Sequence, residues 1–329
     1  MVIDGQGVPV ARAVEWLRPI ADDDTRRLER WCAAVGPVVF DARPRTAGRA
    51  QGARETGRLA IVGWNVHVGG ADVAAFVRGL EQGRFTDGEP QSQYVLLLQE
   101  VFRAGPAVPH HPPAGAPVPR RIAPRHPPAH ARRDIVGIAR ALELHLFYAP
   151  SMRNGRDREA PDEDRGNAIL STLPLRDPKV VELPFERQRR VAVTAVIEWP
   201  QADGSADDLR LASAHLDNLA SARRLWLGAS GARARQARGL VQALAADRHV
   251  VLAGDFNTWG GTDEPAYRIL AEHFDAAGDD PRPTFLRGTR MDYLFSRLPP
   301  QIGLAQRRLD DRFGSDHHPL VALLRRAKM

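Results

Sequence analysis

Residues 249–257 read His-Val-Val-Leu-Ala-Gly-Asp-Phe-Asn, and the fold is decided by how this stretch is read. The apolar run is too short for a helix and reads as a buried strand, which breaks at Gly254 into two polar side chains, Asp255 and Asn257. A rigid strand that delivers a carboxylate and an amide at its end aims them into a cleft. The same arrangement occurs four more times. Asn65 follows the run 61–64, Gln99 and Glu100 follow 94–98, His215 follows 211–214, and Asp316 and His317 precede the last apolar run.

Outward from these points, short apolar runs predict strands at 59–66, 94–98, 145–149, 167–173, 191–199, 209–215, 249–253, 291–296 and 319–324. Val73, Phe76, Val77 and Leu80 have the spacing of a helix face, and further helices are expected over 237–244 and 264–274. Many strands with helices inserted between pairs imply an α/β protein with two sheets packed face to face and helices outside. The main domain is expected over 59–325. Before it, residues 1–58 read as an N-terminal extension, one helix over 10–35 and then a linker over 41–58 rich in Arg, Gly and Ala. Within the domain, residues 103–133 hold nine prolines in 31 positions and predict a loop.

Composition excludes several classes. With 329 residues, 43% hydrophobic and 26% charged, the chain is neither disordered nor fibrous. No apolar run reaches the ~20 residues that cross a bilayer, and Asp4 and Glu15 stand where a signal peptide would be apolar, so a cytoplasmic protein is expected. The lone Cys32 forbids an internal disulfide. The net charge of +6 is local: segment 103–133 carries six arginines, four histidines and no acid, and the other 40 basic residues equal the 40 acidic ones. Such a loop suits a polyanion, although it also suits a solvated surface. Pro127 and Pro128 between His126 and His130 exclude a helical metal pair there.

The polar strand ends offer Glu100, Asn65, Asp255 and Asp316 as oxygen ligands for a hard divalent cation. Asp255, Asn257, His215 and His317 add groups that can position water and stabilise phosphoryl oxygens. There is no phosphate loop ending in Lys-Ser or Lys-Thr, no His-Glu-x-x-His and no nucleophile elbow.

Seven blocks carry a more specific likeness: Gly63-Trp64-Asn65, Leu98-Gln99-Glu100-Val101, Gly166-Asn167-Ala168-Ile169-Leu170-Ser171, His215-Leu216-Asp217, Gly254-Asp255-Phe256-Asn257, Arg290-Met291-Asp292-Tyr293 and Ser315-Asp316-His317-His318-Pro319. In this order they resemble the endonuclease/exonuclease/phosphatase family. The resemblance implies a four-layered αββα sandwich of two mixed sheets flanked by helices, with Mg²⁺ or Mn²⁺ as cofactor. It implies Glu100, Asn65 and Asp316 on the metal side. It implies Asp255 as the water-activating aspartate, Asn257 and His215 as phosphate contacts, and His317 braced by Asp292. The expected activity is hydrolysis of a phosphoester by activated water in a monomer, with nucleic acid as the first substrate choice. A sphingomyelinase-like or inositol-type phosphoesterase is the alternative, and a silent nucleic-acid-binding module the rival from another class. His67, two positions after Asn65, departs from the aspartate of the apurinic-endonuclease branch and makes an abasic-site role less fitting. Trp259 is placed to stack on a base at the cleft rim, or else simply to pack.

Overall fold

The computed structural model describes residues 1–10, 14–18, 22–41, 57–122, 124, 130–155, 162–200, 204–218, 226–278 and 280–326. In chain order these form β1 (Val2–Ile3), β2 (Glu15–Leu17), α1 (Asp22–Cys32), β3 (Val38–Asp41), β4 (Arg58–Asn65), α2 (Val73–Glu81), β5 (Tyr94–Ala104), α3 (Ile135–Ala141), β6 (His145–Arg153), β7 (Glu163–Ser171), β8 (Arg176–Glu182), β9 (Val191–Pro200), β10 (Ala206–His215), α4 (Trp226–Ala243), β11 (Val250–Asp255), α5 (Pro265–Ala271), β12 (Asp275–Ala276), β13 (Asp292–Arg297), β14 (Ile302–Arg308) and β15 (Leu320–Arg326).

The strands build an eight-stranded sheet, ordered β1–β3–β6–β7–β5–β4–β15–β14, and a seven-stranded sheet, ordered β12–β13–β11–β10–β9–β8–β2. Both are mixed. β4 runs parallel to β5 and β10 parallel to β11, while most other pairs are antiparallel. The alternation of side chains along each strand makes the layers. Leu59, Ile61, Val95 and Leu97 face Val193, Leu211, Val251 and Leu294 in the core between the sheets. Ala60, Val62, Trp64, Leu96 and Leu98 turn the other way, onto Val73, Phe76, Val77 and Leu80 of α2 and Ile135 at the start of α3. On the opposite outer face, Ala212, Ala214, Leu252 and Phe295 meet Ala237 and Leu240 of α4 and Leu270 of α5. This is the four-layered αββα sandwich.

Two side-chain details bring the sheets close at one end. A methyl group at Gly63 would come 2.7 Å from the Ala253 Cβ, so glycine lets β4 and β11 approach. Ser213 Oγ donates to Leu98 O (2.9 Å) and accepts from Gln99 Nε2 (2.9 Å), tying β10 to β5 across the interface.

The region before residue 58 differs from its sequence reading. Where one helix is expected over 10–35, the described residues form β2 and α1, with β3 after them, and the segment is woven into both sheets: β3 pairs with β6, β1 with β3, and β2 with β8. Charged residues dominate the first turns of α1, and the apolar contacts that hold β3 lie far away in sequence, which is why periodicity alone misplaced the elements. Residues 42–56, within the expected linker, lie outside the described residues, as does His126. In segment 103–133 the strand β5 runs on to Ala104, and no helix or strand follows in its described part. Strands β8 and β14 and helix α3 carry no clear periodic signal and were not expected.

Candidate active site

The site forms where the parallel strand pairs end. Backbone register sets Asn65 of β4 beside Gln99 of β5, and it sets His215 of β10 beside Asp255 of β11, which in turn faces Asp292 of β13. Each sheet thus presents a row of polar ends to the same edge of the sandwich, the usual place for ligands in sheets with parallel strands.

Between the rows the side chains meet. Asn65 Nδ2 donates to Asp255 Oδ2 (3.0 Å), a hydrogen bond from one sheet to the other. The backbone N–H of Asn257 donates to Asp255 Oδ1 (3.0 Å), and Asn257 Nδ2 donates to Leu216 O (3.1 Å). His317 Nδ1 lies 2.7 Å from Asp292 Oδ2, while its Nε2 faces Asp255 Oδ2 at 3.7 Å. His215 Nε2 lies 3.4 Å from the same Asp255 oxygen. Asn65, His215, Asp255, Asn257, Asp292 and His317 are all buried. His317 is fixed further: its N–H donates to Ser315 Oγ (3.0 Å), its carbonyl accepts from Trp64 Nε1 (3.1 Å), and Ser315 Oγ donates to Asn65 O (2.7 Å). Asp316 points to the side, with Oδ1 3.0 Å from His67 Nδ1 and 3.9 Å from His317 Nε2.

Glu100 reaches the edge differently. The β5–β7 register shifts between Leu98 and Val101, and Glu100 sits in the left-handed region at φ 51°. A bulge re-aims a side chain and bends its strand. Asn257 (φ 51°) and His67 (φ 49°) share this conformation, which is costly for residues with a Cβ and clusters at functional sites. Glu100 lines a recess together with His215, Arg165 and Arg190, and its charge acts on both arginines.

The electrostatics are opposed from residue to residue. Burial pushes the Asp255 carboxyl up to about 7, with Asp292 adding to the rise and His317 and Asn65 opposing it. Burial alone would lower the His317 value, but the charges of Asp292 and Asp255 outweigh it and raise the imidazole to about 10. His215 goes the other way: burial, then the positive charges of Arg190, His317 and Arg165, hold it well below the usual histidine range. In the neutral range the site therefore combines a charged histidine, a neutral one and a carboxyl near its midpoint.

One atom each from Asp255, Asp292 and His317 lies within 4.8 Å of the others, close enough to hold a cation. Asp292 Oδ1 is buried without a hydrogen-bond partner among the described residues, and Glu100 lines the neighbouring recess. Carboxylate oxygens without sulfur fit a hard divalent ion, whereas the charged His317 has no free lone pair to offer it. The metal-side residues expected from sequence are divided: Asn65 is bound to Asp255, Asp316 is paired with His67, and Glu100 stands at the recess.

Sequence reasoning missed Arg165, Arg190 and the His67–Asp316 contact. Arg165 stands directly before the Gly166-Asn167 block and Arg190 directly before β9, positions that only the tertiary structure brings to the site. Trp259 packs edge-on against Phe285 (6.1 Å), whose ring lies 4.8 Å from that of His317, so it buttresses the histidine. Tyr148 donates to Asp164 in the interior and belongs to the scaffold. Trp31 is a buried anchor against Phe185, whereas Trp16 lies in β2, 36% exposed, under Arg189.

Among solved structures the chain is similar to an endonuclease/exonuclease/phosphatase from Beutenbergia cavernae DSM 12333, at 22% identity over 82% of this chain and 72% of that one, with a TM-score of 0.57. It is also similar to the human Nocturnin catalytic domain with bound sulfate anion (17% identity, 83% and 96% covered, TM-score 0.50). A third is an endonuclease/exonuclease/phosphatase family protein from Leptotrichia buccalis C-1013-b (14% identity, 80% and 98% covered, TM-score 0.50). At these identities the likeness is one of fold. No curated protein sequence matches the chain. A family model described as the Endonuclease/Exonuclease/phosphatase family matches residues 62–317, most of the chain, and the protein belongs to that family.

Proposed function

We propose that the protein is a divalent-metal-dependent phosphoesterase that uses water as nucleophile, with a nucleic acid or nucleotide as substrate and Mg²⁺ or Mn²⁺ as cation. The observation that carries this reading is the buried Asp255, set at about 7 and flanked by His215 and His317, which are held in opposite charge states. Pairs of titratable groups pushed apart by their surroundings mark acid and base roles.

Asp255 is the base in this reading. Its carboxylate is half formed near neutrality and can take a proton from a water held at its Oδ2, while Asn65 and the Asn257 N–H fix its plane. His317 is already protonated, and Asp292 at its Nδ1 leaves Nε2 to donate to a phosphoryl oxygen as charge builds there. Neutral His215 and the Asn257 amide complete the set of donors. A cation held by Glu100 and Asn65, with Asp316 beside them, would neutralise the phosphate and stabilise the leaving oxygen. The fold lacks any helix among the described residues that is long and apolar enough to cross a membrane, and we read the protein as a cytoplasmic monomer whose main domain spans 59–325.

Purified protein is expected to hydrolyse bis-p-nitrophenyl phosphate with Mg²⁺ or Mn²⁺ and to stop in EDTA. Asp255→Asn is expected to abolish turnover while the protein stays folded. Full activity in that variant, or in EDTA, sinks the reading. DNA binding without turnover of any phosphoester would favour the silent binding module instead.

A further inference from the structure

The turn that follows Asn65 is strained. His67, Val68 and Gly69 stand in succession in the left-handed region, at φ 49°, 47° and 85°. Only the glycine takes that region freely, and for the β-branched Val68 it is a true outlier. Such a backbone persists where its surroundings over-determine it. Part of the hold is local: Gly70 N–H donates to His67 O (3.0 Å) and Ala71 N–H to Val66 O (3.2 Å). A further part comes from Arg132, 64 residues away in the proline-rich segment, whose Nε donates to Val68 O (2.9 Å).

Arg132 is itself fixed. Its guanidinium lies 3.6 Å from the centre of the Phe102 ring, and its Nη1 and Nη2 donate to the two oxygens of Glu163 (2.5 and 3.2 Å). Glu163, at the start of β7, is buried and also accepts from Arg121 Nη2 (3.2 Å) and Asn154 Nδ2 (2.9 Å). Glycine at position 69 leaves the room this packing needs, since a methyl group there would come 2.6 Å from Phe102 Cε1 and 2.9 Å from Arg132 Cγ. Arg103, Arg121 and Arg132, three of the six arginines in segment 103–133, are thus tied to carboxylates of β7.

The turn carries this hold into the site. The N–H of His67 donates to Asn65 Oδ1 (3.1 Å), and Asn65 Nδ2 donates to Asp255 Oδ2 (3.0 Å). With a donor on its oxygen and an acceptor on its nitrogen, the amide has one orientation. Turned over, it would set N–H against N–H and oxygen against carboxylate. The direction of the His67 N–H therefore fixes the group that fixes Asp255, and the strained turn sets that direction.

We propose that Arg132 is a positioning residue of the reaction: by holding the turn 67–69 it sets the Asn65 amide, and through it Asp255, in the geometry that attack by water requires. The proline-rich segment thereby completes the site from outside it. The assignment rests on the phosphoesterase reading above.

Arg132→Met tests it, because methionine keeps an unbranched apolar stem against Phe102 and removes the donors, while Glu163 stays answered by Arg121 and Asn154. With bis-p-nitrophenyl phosphate and Mg²⁺, this variant is expected to lower kcat per folded molecule by about ten- to a hundredfold at nearly unchanged KM. Arg132→Lys, with a single nitrogen for two acceptors, is expected to recover part of the loss. Arg121→Met is the control, since Arg121 clips the same Glu163 oxygen from another point of the segment, and its kcat is expected to stay close to that of the unaltered protein. Full kcat in Arg132→Met, or an equal loss in Arg121→Met, would overturn the proposal. If Arg132→Met does not fold, Arg132→Lys decides in its place: a lowered kcat upholds the proposal and an unchanged one overturns it. A second readout needs no turnover. The side-chain amide protons of Asn65, followed by NMR, are expected to shift and to exchange faster in Arg132→Met but not in Arg121→Met, and unmoved signals would overturn the proposal. Turnover of no phosphoester by the unaltered protein would sink the phosphoesterase reading, and the amide signals would then decide the positioning alone.

Discussion

Two buried aspartates, Asp164 and Asp255, show how the same residue type serves opposite ends. Asp164 is saturated. It accepts from Gly36 N (2.8 Å), Tyr148 Oη (2.8 Å) and Arg103 Nε (3.2 Å), with Arg103 Nη2 closing a bidentate pair, and Arg103 also donates to Pro37 O (2.6 Å). Asp255 has no guanidinium. It accepts from an amide and a backbone N–H, a second carboxylate stands across the strand pair, and its two histidines stay at 3.4 and 3.7 Å. The first cluster is complete within the chain and holds β7 to β5, β6 and the N-terminal segment. The second is left with capacity that only a proton, a cation or a substrate can fill. Shortage of partners, more than burial or charge, separates the site from the scaffold.

The sharpest way to break this contrast is at the site. His317→Ala is expected to reduce kcat per folded molecule by roughly 10²–10⁴, measured by p-nitrophenol release, and also to lower the melting temperature because Asp292 and Asp255 lose their charged partner. A large loss of stability with ordinary turnover per folded molecule would place His317 in the scaffold. On the other side, Asp164→Ala leaves Arg103 buried and unpaired and is expected to cost about 3–5 kcal/mol in urea unfolding, with turnover of the remaining folded protein little changed.

A third experiment follows pH in EDTA. Asp255 has its folded-state value raised to about 7, so its neutral form favours the folded protein at low pH, and that contribution is lost as pH rises through about 7. His317, raised to about 10, contributes fully below the ordinary histidine range and loses that contribution as pH rises from there to about 10. The melting temperature is therefore expected to fall as pH climbs from the ordinary carboxylate range to about 7, and Asp255→Asn to flatten that part of the fall. Histidine proton shifts should show His317 charged and His215 neutral throughout the neutral range, and matching titrations of the two would contradict the opposed environments. The smallest effect is expected from Ser213→Ala, which removes the Ser213 bridge between the sheets at Leu98 and Gln99 and should cost about 1 kcal/mol.

Much of this could be read from the chain. Strands such as 94–98 and 250–255 announce themselves because a run of apolar residues buried on both faces has few other solutions, and the polar residues at their ends mark the edge where function collects. The two packed sheets with helices outside and the places of Asp255, Asn257 and His317 follow that pattern, whereas Asp292 was marked only by the family resemblance. The strands β1, β2 and β3 were not legible because they are short and their partners are distant in sequence, and β8 and β14 because their own residues are partly exposed or charged.

What the sequence determined by itself is which side chains could do chemistry and at which strand ends they stand, since local periodicity and residue type need no partner. What only the tertiary structure decided is which charges are answered. Pairing is a matter of a few ångströms between residues far apart in the chain: it joined Asn65 to Asp255, His67 to Asp316 and Arg132 to Glu163. Electrostatic energy depends on distance and burial, and neither quantity is written in the order of residues.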